Sequence, residues 1–343
     1  MQALLGYGEC EVILGVSGTS GDFLSAQFPH LKTIAFPAPR VSYSRGRSQV
    51  LRLAVQLPGL VAHVIREHRR LKKVIARERI SAVISDNRYG LFHHAIPSIL
   101  IIHQVNLIFP PGLRHLGRLA TRMQHRWFRK FDQVWIPDLP GTDRVAGKLS
   151  AVPGTLDHLY SVGILSRFFY GKPSAAPVAQ SYDIMVILSG PEPQRSKLER
   201  IITRQLHGTG LRALLVSGLL RGRTRYTIGS VTHVSHMFSE ELLSHMRSSS
   251  TILCRSGYSS IMDMLALGKT AILIPTPGQP EQEYLAEHLY EKGWFYYEPQ
   301  SQFTLERALA RADQYRPPRM AVSGNLFARV NWLFEALAKR SER

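Results

Sequence analysis

Two cysteines in 343 residues, Cys10 and Cys254, are too few and too far apart for a disulfide framework, so a reducing compartment is expected. There is no Asp-x-Asp, the carboxylate pair that would bridge a metal to a diphosphate. Fourteen histidines occur, including His93-His94 and His63 with His68, but no H-E-x-x-H and no paired Cys/His cluster accompanies them. Neither zinc nor any other cofactor is expected. Long apolar runs are missing too. The most apolar region, Ala95 to Leu113, is interrupted by His103, Gln104, Asn106 and prolines, whereas a membrane span needs roughly 20 unbroken apolar residues. The opening residues have no basic leader with an apolar stretch behind it, so no signal peptide is expected. Acidic residues are scarce as well. Lys and Arg number 43 against 25 Asp and Glu, a formal net charge of +18.

That excess predicts attraction to something anionic: nucleic acid, acidic lipid or a phosphorylated ligand. Its distribution narrows the choice. From Gly112 to Lys130 the chain carries Arg114, Arg118, Arg122, Arg126, Arg129 and Lys130 without an acid, and Phe109, Leu113, Leu116, Leu119, Met123, Trp127 and Phe128 are interleaved. A basic helix with apolar residues beside it suits an interfacial contact with an anionic membrane. A merely solvated basic face is the alternative. No nucleic-acid recognition module is present, which makes nucleic acid an unlikely partner.

What is abundant is alternation. Strand-like runs at Glu11–Val16, Ser81–Ser85, Pro97–Ile102 and Gln133–Pro137 are separated by helical patterns, notably Gln49–Arg77 and Leu113–Arg129. After an irregular Pro/Ala-rich stretch a second series follows: strands Tyr182–Leu188, Arg212–Val216, Thr251–Cys254 and Thr270–Ile274, and helices Glu240–Arg247, Ser260–Leu267 and Glu281–Glu291. This is an α/β protein with parallel sheets. Its organisation reads as an N-terminal Rossmann-like domain over 1–165, a linker over 166–180 and a C-terminal domain over 181–343. The last helix is a candidate to pack back on the first domain. The opening Gln2–Leu5 resembles the tail of a helix, and a doubly wound domain ordinarily starts with a strand and a glycine-rich turn. The first β-α unit is therefore expected to be missing.

Two glycine-rich stretches carry little. Gly15-Val-Ser-Gly18-Thr-Ser-Gly21 lacks the dinucleotide spacing and reads as a flexible turn. Gly141 to Lys148 mimics a phosphate loop, with one residue too many and Leu149 where a hydroxyl is required.

The chemistry concentrates after Thr251. A strand ends in Arg255-Ser256-Gly257 and a helix follows, whose first amides and dipole can hold a diphosphate without metal. Gly257 would let the backbone approach closely. Asp263, placed on the first turn, could accept both hydroxyls of a ribose. The next strand ends in Pro275-Thr276-Pro277-Gly278, and Gln279, Gln282 and Glu283 beyond it suit sugar hydroxyls. Read blandly, Ser260 to Asp263 is a helix-capping arrangement and Gln279–Glu283 an acidic helix start.

The ordered run of Ser-Gly turn, acidic helix residue, Ala-x-Gly-Lys and Gln-rich helix start resembles the C-terminal domain of the MurG-like family 28 glycosyltransferases. That resemblance implies a GT-B fold, two Rossmann-like domains facing across a cleft, and transfer from a UDP-sugar, of N-acetylhexosamine type, by a metal-independent inverting route. By the same resemblance Asp263 holds the ribose, and Gln282 and Glu283 face the donor sugar. A carboxylate replaces the family's second amide, which leaves the sugar's identity open. Ser189 and Gly190 match the glycine-rich loop near the donor phosphates, and Arg195 stands ready to pair with phosphate. Ile101-Ile-His103-Gln104 with Asn106 is similar to the family's His-Glu-Gln-Asn loop. The family's reactive-centre histidine has no counterpart, so Asp86 and His103 remain as candidate bases. The resemblance further implies a hydroxyl acceptor, plausibly lipid-linked, and a cytoplasmic protein peripheral on the inner face of the plasma membrane. Two other readings stay open: a catalytically impaired or partner-dependent nucleotide-sugar-binding protein, and a UDP-sugar epimerase of the same fold.

Overall fold

The structure is a computed structural model that describes residues 2–6, 10–38, 49–109, 112, 114–169, 181–219, 222 and 224–341. It divides into two compact units, one made of 1–165 with 322–343 and the other of 166–321.

The first unit opens with α1 (Gln2–Leu5), β1 (Leu14–Val16), α2 (Gly18–Gln27) and β2 (Thr33–Ala35). β1 and β2 pair in parallel as a sheet of their own. Gly15 to Gly21 is thus a strand end running into a helix, because Ser17 in extended conformation ends β1 and Gly18 already begins α2. There follow α3 (Gln49–Glu78), β3 (Val83–Asp86), β4 (Ser98–Ile101), α4 (Arg114–Phe128), β5 (Gln133–Ile136) and β6 (Leu159–Ser161). The last four strands form a parallel sheet in the order β3-β4-β5-β6. One core packs Leu100, Ile102, Phe128, Val134 and Ile136 together.

The second unit contains β7 (Ile184–Ile187), α5 (Gln194–Leu206), β8 (Ala213–Val216), β9 (Arg225–Ile228), β10 (Val231–Val234), α6 (Ser239–Ser248) and β11 (Thr251–Cys254). It continues with α7 (Tyr258–Leu267), β12 (Ala271–Leu273), α8 (Pro280–Glu291), β13 (Tyr296–Tyr297) and α9 (Leu305–Ala312). The sheet order is β13-β12-β11-β7-β8-β10-β9, parallel except for the β9 edge. Apart from β9, strand order runs outward in both directions from β7 and β11. That is the doubly wound pattern, and the chain's direction of winding reverses between those two strands. β7, β8 and β11 are apolar apart from Thr251 and buried apart from Ile187 and Thr251, as expected for strands covered on both faces.

The closing helix, α10 (Gly324–Ser341), belongs to the first unit, where Leu326, Val330 and Leu333 pack on Ile99, Trp135 and Val162. Of the stretch read as a linker, residues 170–180 lie outside the described residues. Ser166 to Phe169 belong to the second unit, with Ser166 and Phe168 buried.

Candidate functional site

The reversal between β7 and β11 opens a crevice at the strands' carboxyl ends, where doubly wound sheets take their ligands. Three loops converge there: Ser189-Gly190 after β7, Arg255-Ser256-Gly257 after β11 and Thr276 to Gly278 after β12. Gly190 holds φ +96°, a conformation that favours glycine, and a side chain built on it would sit 3.6 Å from the Thr276 hydroxyl. Gly257 caps α7 with φ −72° and ψ 139° and has no side chain of its own to bond the first turn. The helix starts at Tyr258, two residues ahead of Ser260, so Ser260 does not cap it. Thr276 Oγ1 is buried without a hydrogen-bond partner, and so is Gln300 Oε1 beyond β13. A helix start capped by glycine, beside buried side-chain oxygens without partners, is what a site for an anionic polar ligand requires.

Several residues read from sequence as ligand contacts have other partners. Arg195 donates to Glu192, Glu199, Ser196 and the Ser217 carbonyl, so its guanidinium is spent within α5 and the neighbouring strand end. Arg255 is 1% exposed and donates to the carbonyls of Ile274, Pro275 and Gln194, tying loops together instead of reaching outward. Asp263 falls on the second turn of α7, not the first, because the helix begins at Tyr258. It is 6% exposed and accepts hydrogen bonds from Ser166 (2.7 Å) and Arg167 (3.1 Å). Burial raises its pKa, and Arg167 and Ser166 draw it back down. Ser166 and Arg167 went unnoticed in the sequence because they stand at the head of an irregular Pro/Ala-rich stretch, where nothing in local pattern separates them from linker.

Gln282 accepts from the Thr276 amide at 2.9 Å and donates to Gln279 at 2.6 Å, while Glu283 accepts from the Gly278 amide at 2.8 Å. Ser256 Oγ donates to the Gln282 carbonyl. Gln279 is the N-cap residue of α8. The β12–α8 loop is therefore held by the side chains that sequence assigned to the sugar. Any sugar contact they make must use their remaining hydrogen-bonding capacity or exchange these bonds.

In the first unit, Asp86 ends β3 and lies beside Ile101 of β4, whose carbonyl accepts from the Asn87 amide. Asp86 is open at the surface but ringed by protein, and this burial raises its pKa against the opposing charge of His103. Its loop is firmly pinned. Asn87 is left-handed at φ 54°. Arg88 donates to Glu67, Ser17 and the Pro37 carbonyl, and Ser85 donates to the Arg88 carbonyl. Asn106 donates to the carbonyls of Lys148 and Ala151. The false phosphate loop wraps round Asp138, whose carboxylate accepts from the amides of Leu139, Val145 and Ala146 and from Ser150.

On α4 the exposed apolar residues Leu116 (51%), Leu119 (54%) and Met123 (40%) form one stripe, beside exposed Arg118, Arg122 and Arg126. Arg129 and Lys130 are exposed just past the helix end. Trp127 is not part of this exposed stripe, since it packs against the core, with Lys130 over its ring at 5.3 Å. The Arg114 side chain lies outside the described residues. Among the described residues no helix is long and apolar enough to cross a membrane, and no cluster of three His, Cys, Asp or Glu could hold a metal ion.

Residues 222–321 match the glycosyltransferase family 28 C-terminal domain. That match lies wholly within the second unit. An uncharacterized glycosyltransferase of Methanosarcina mazei is 26% identical over 232 residues, 65% of this chain and 61% of the relative. The chain thus matches about three fifths of that relative's length. A UDP-N-acetylglucosamine–N-acetylmuramyl-(pentapeptide) pyrophosphoryl-undecaprenol N-acetylglucosamine transferase of Methylorubrum extorquens is 31% identical over 102 residues, 29% of this chain and 28% of the relative. Among solved structures, MurG of Acinetobacter baumannii aligns with TM-score 0.51 at 13% identity, covering 97% of this chain and 94% of its own. The fold is GT-B.

Proposed function

We propose that the MurG-like chain transfers a sugar from a UDP-sugar, of N-acetylhexosamine type, to a hydroxyl acceptor by metal-independent inversion. One observation carries this reading: the uncapped start of α7 at the winding reversal, with the buried Thr276 hydroxyl lacking a partner beside Gly190. A diphosphate accepts from the amides of a helix start, and the helix dipole offsets its charge in place of a metal. Asp263 takes the ribose hydroxyls by exchanging part of its bonding with Ser166 and Arg167. The UDP-N-acetylglucosamine donor named for the Methylorubrum extorquens relative supports the choice of nucleotide and sugar class.

The transfer is a single displacement. The acceptor oxygen bonds to the anomeric carbon, the bond from that carbon to the diphosphate oxygen breaks, and UDP leaves with its electron pair. The acceptor's proton passes to a carboxylate, and Asp86 is our choice, with His103 beside it to stabilise its charged form. The raised pKa of Asp86 strengthens it as a base. Below that pKa the rate falls. Leu116, Leu119 and Met123 with the neighbouring arginines rest on an anionic membrane face, which suits a lipid-linked acceptor and a peripheral position on the cytoplasmic side.

Calorimetric titration with UDP in the presence of EDTA tests the donor site, and no heat of binding would sink the whole reading. UDP release from UDP-N-acetylglucosamine, with Asp86→Asn as control, separates a transferase from a binding protein. Sedimentation with phosphatidylserine vesicles at low salt tests α4, with loss of binding expected for Leu119→Gln.

A further inference from the structure

The second unit holds two buried arginines, and they are compensated differently. Arg195 is bracketed by the carboxylates of Glu192 and Glu199, at 2.6 and 2.8 Å. Arg255 is more deeply buried, yet among the described residues no carboxylate pairs with it. Its partners are three backbone carbonyls, at 2.8 to 3.2 Å, and its Nε has none. Loss of hydration pulls its pKa down to about 10, which still leaves it charged at neutral pH. A buried cation facing only carbonyl dipoles is energetically incomplete, and an anion brought close to it removes the deficit.

Its position says where that anion sits. Arg255 follows β11 directly and precedes Ser256 and Gly257, so it stands at the root of the uncapped α7. Its guanidinium bonds to Gln194, the first residue of α5, and to Ile274 and Pro275 at the end of β12. It thereby fixes the spacing of the loops on both sides of the winding reversal.

We propose that Arg255 is the buried counter-charge of the donor's diphosphate: it favours the phosphates through its field and holds their loops in register, without touching them. It is a positioning residue. The assignment rests on the donor-site reading above, and it explains why a guanidinium aligned with the site should point into the protein.

The test is calorimetric titration of UDP and of uridine into the wild-type chain, Arg255→Met and Arg255→Lys, with thermal melts alongside. Methionine fills the space without charge, while lysine keeps the charge but cannot bridge three carbonyls. The expected result for Arg255→Met is loss of about tenfold or more of the preference for UDP over uridine, with uridine affinity unchanged. Arg255→Lys should keep most of that preference while melting at a lower temperature. The proposal is overturned if Arg255→Met retains the full preference for UDP, or if it weakens UDP and uridine equally. Failure of both variants to fold would assign Arg255 to the scaffold and overturn it too. A wild-type chain that binds neither compound would remove the donor site itself, a result separable from any that concerns Arg255.

Discussion

At the carboxyl edge of the first unit's sheet, Asp138 takes four donors and Arg88 gives to three acceptors. At the matching edge of the second unit, α7 begins on a glycine with no capping side chain, and Thr276 Oγ1 and Gln300 Oε1 are buried without partners. Both edges carry glycine-rich loops, and from the sequence both resemble phosphate loops in part. The difference is how completely each satisfies itself. The Asp138 carboxylate occupies the amides that an incoming phosphate would need, so the Gly141–Lys148 loop is closed. The second unit starts α7 on a bare glycine and builds a buried cation behind it. Whether a loop is closed or open separates scaffold from site more sharply than its glycines do.

This contrast can be broken at several points. The largest effect is expected at Asp138. Replacing it with Ala strands four donors inside the first unit, and denaturant unfolding should show a loss of about 3 kcal/mol with no direct effect on UDP binding. Glu298, at the end of β13, is the second unit's own satisfied carboxylate. It accepts from Arg307 twice, from Tyr296 and from the Thr304 amide. Burial alone would raise its pKa, but these donors outweigh it and hold the carboxyl below the usual glutamate range. Because its folded pKa is depressed, its stabilisation is full above the ordinary glutamate value and disappears as pH falls through the lower one. Glu298→Gln should cost about 2 kcal/mol at neutral pH, and the deficit should shrink in acid. Asp263 behaves in the opposite sense. Its folded pKa is raised, so its ionisation opposes folding as pH rises through that value. Arg167→Ala, removing a half-exposed partner, should cost about 1 kcal/mol, with a deficit that grows as pH rises above the ordinary aspartate range. A pH-independent melt for that variant would contradict the assignment.

Much of this was legible in advance. Apolar runs marked β7, β8 and β11, and the Ser-Gly turn with its following helix marked the loop after β11. The short elements were harder. β2 (Thr-Ile-Ala), β6 (Leu-Tyr-Ser) and β9 (Arg-Tyr-Thr-Ile) mix polar with apolar residues and so lack the apolar run that marks a buried strand, and β9 is exposed along its whole length. Side-chain partners were harder still. The carboxylates that hold Arg195 stand three and four residues away, at helical spacing, whereas only the fold brings three distant carbonyls to Arg255. The Asp263 contacts join residues 97 and 96 positions away, beyond the reach of any local pattern.

The account stands on α7 having an open N-terminus that receives a diphosphate, and Gly257→Asp examines this most directly. A side chain there meets nothing within 4 Å, and the extended backbone at Gly257 accepts any residue. The new carboxylate would cap the helix and place a negative charge where the phosphates belong. The prediction is a gain of about 0.5 kcal/mol in stability together with a loss of about 100-fold in UDP affinity, uridine affinity being largely kept. A Gly257→Asp chain that binds UDP as tightly as the wild type would contradict it.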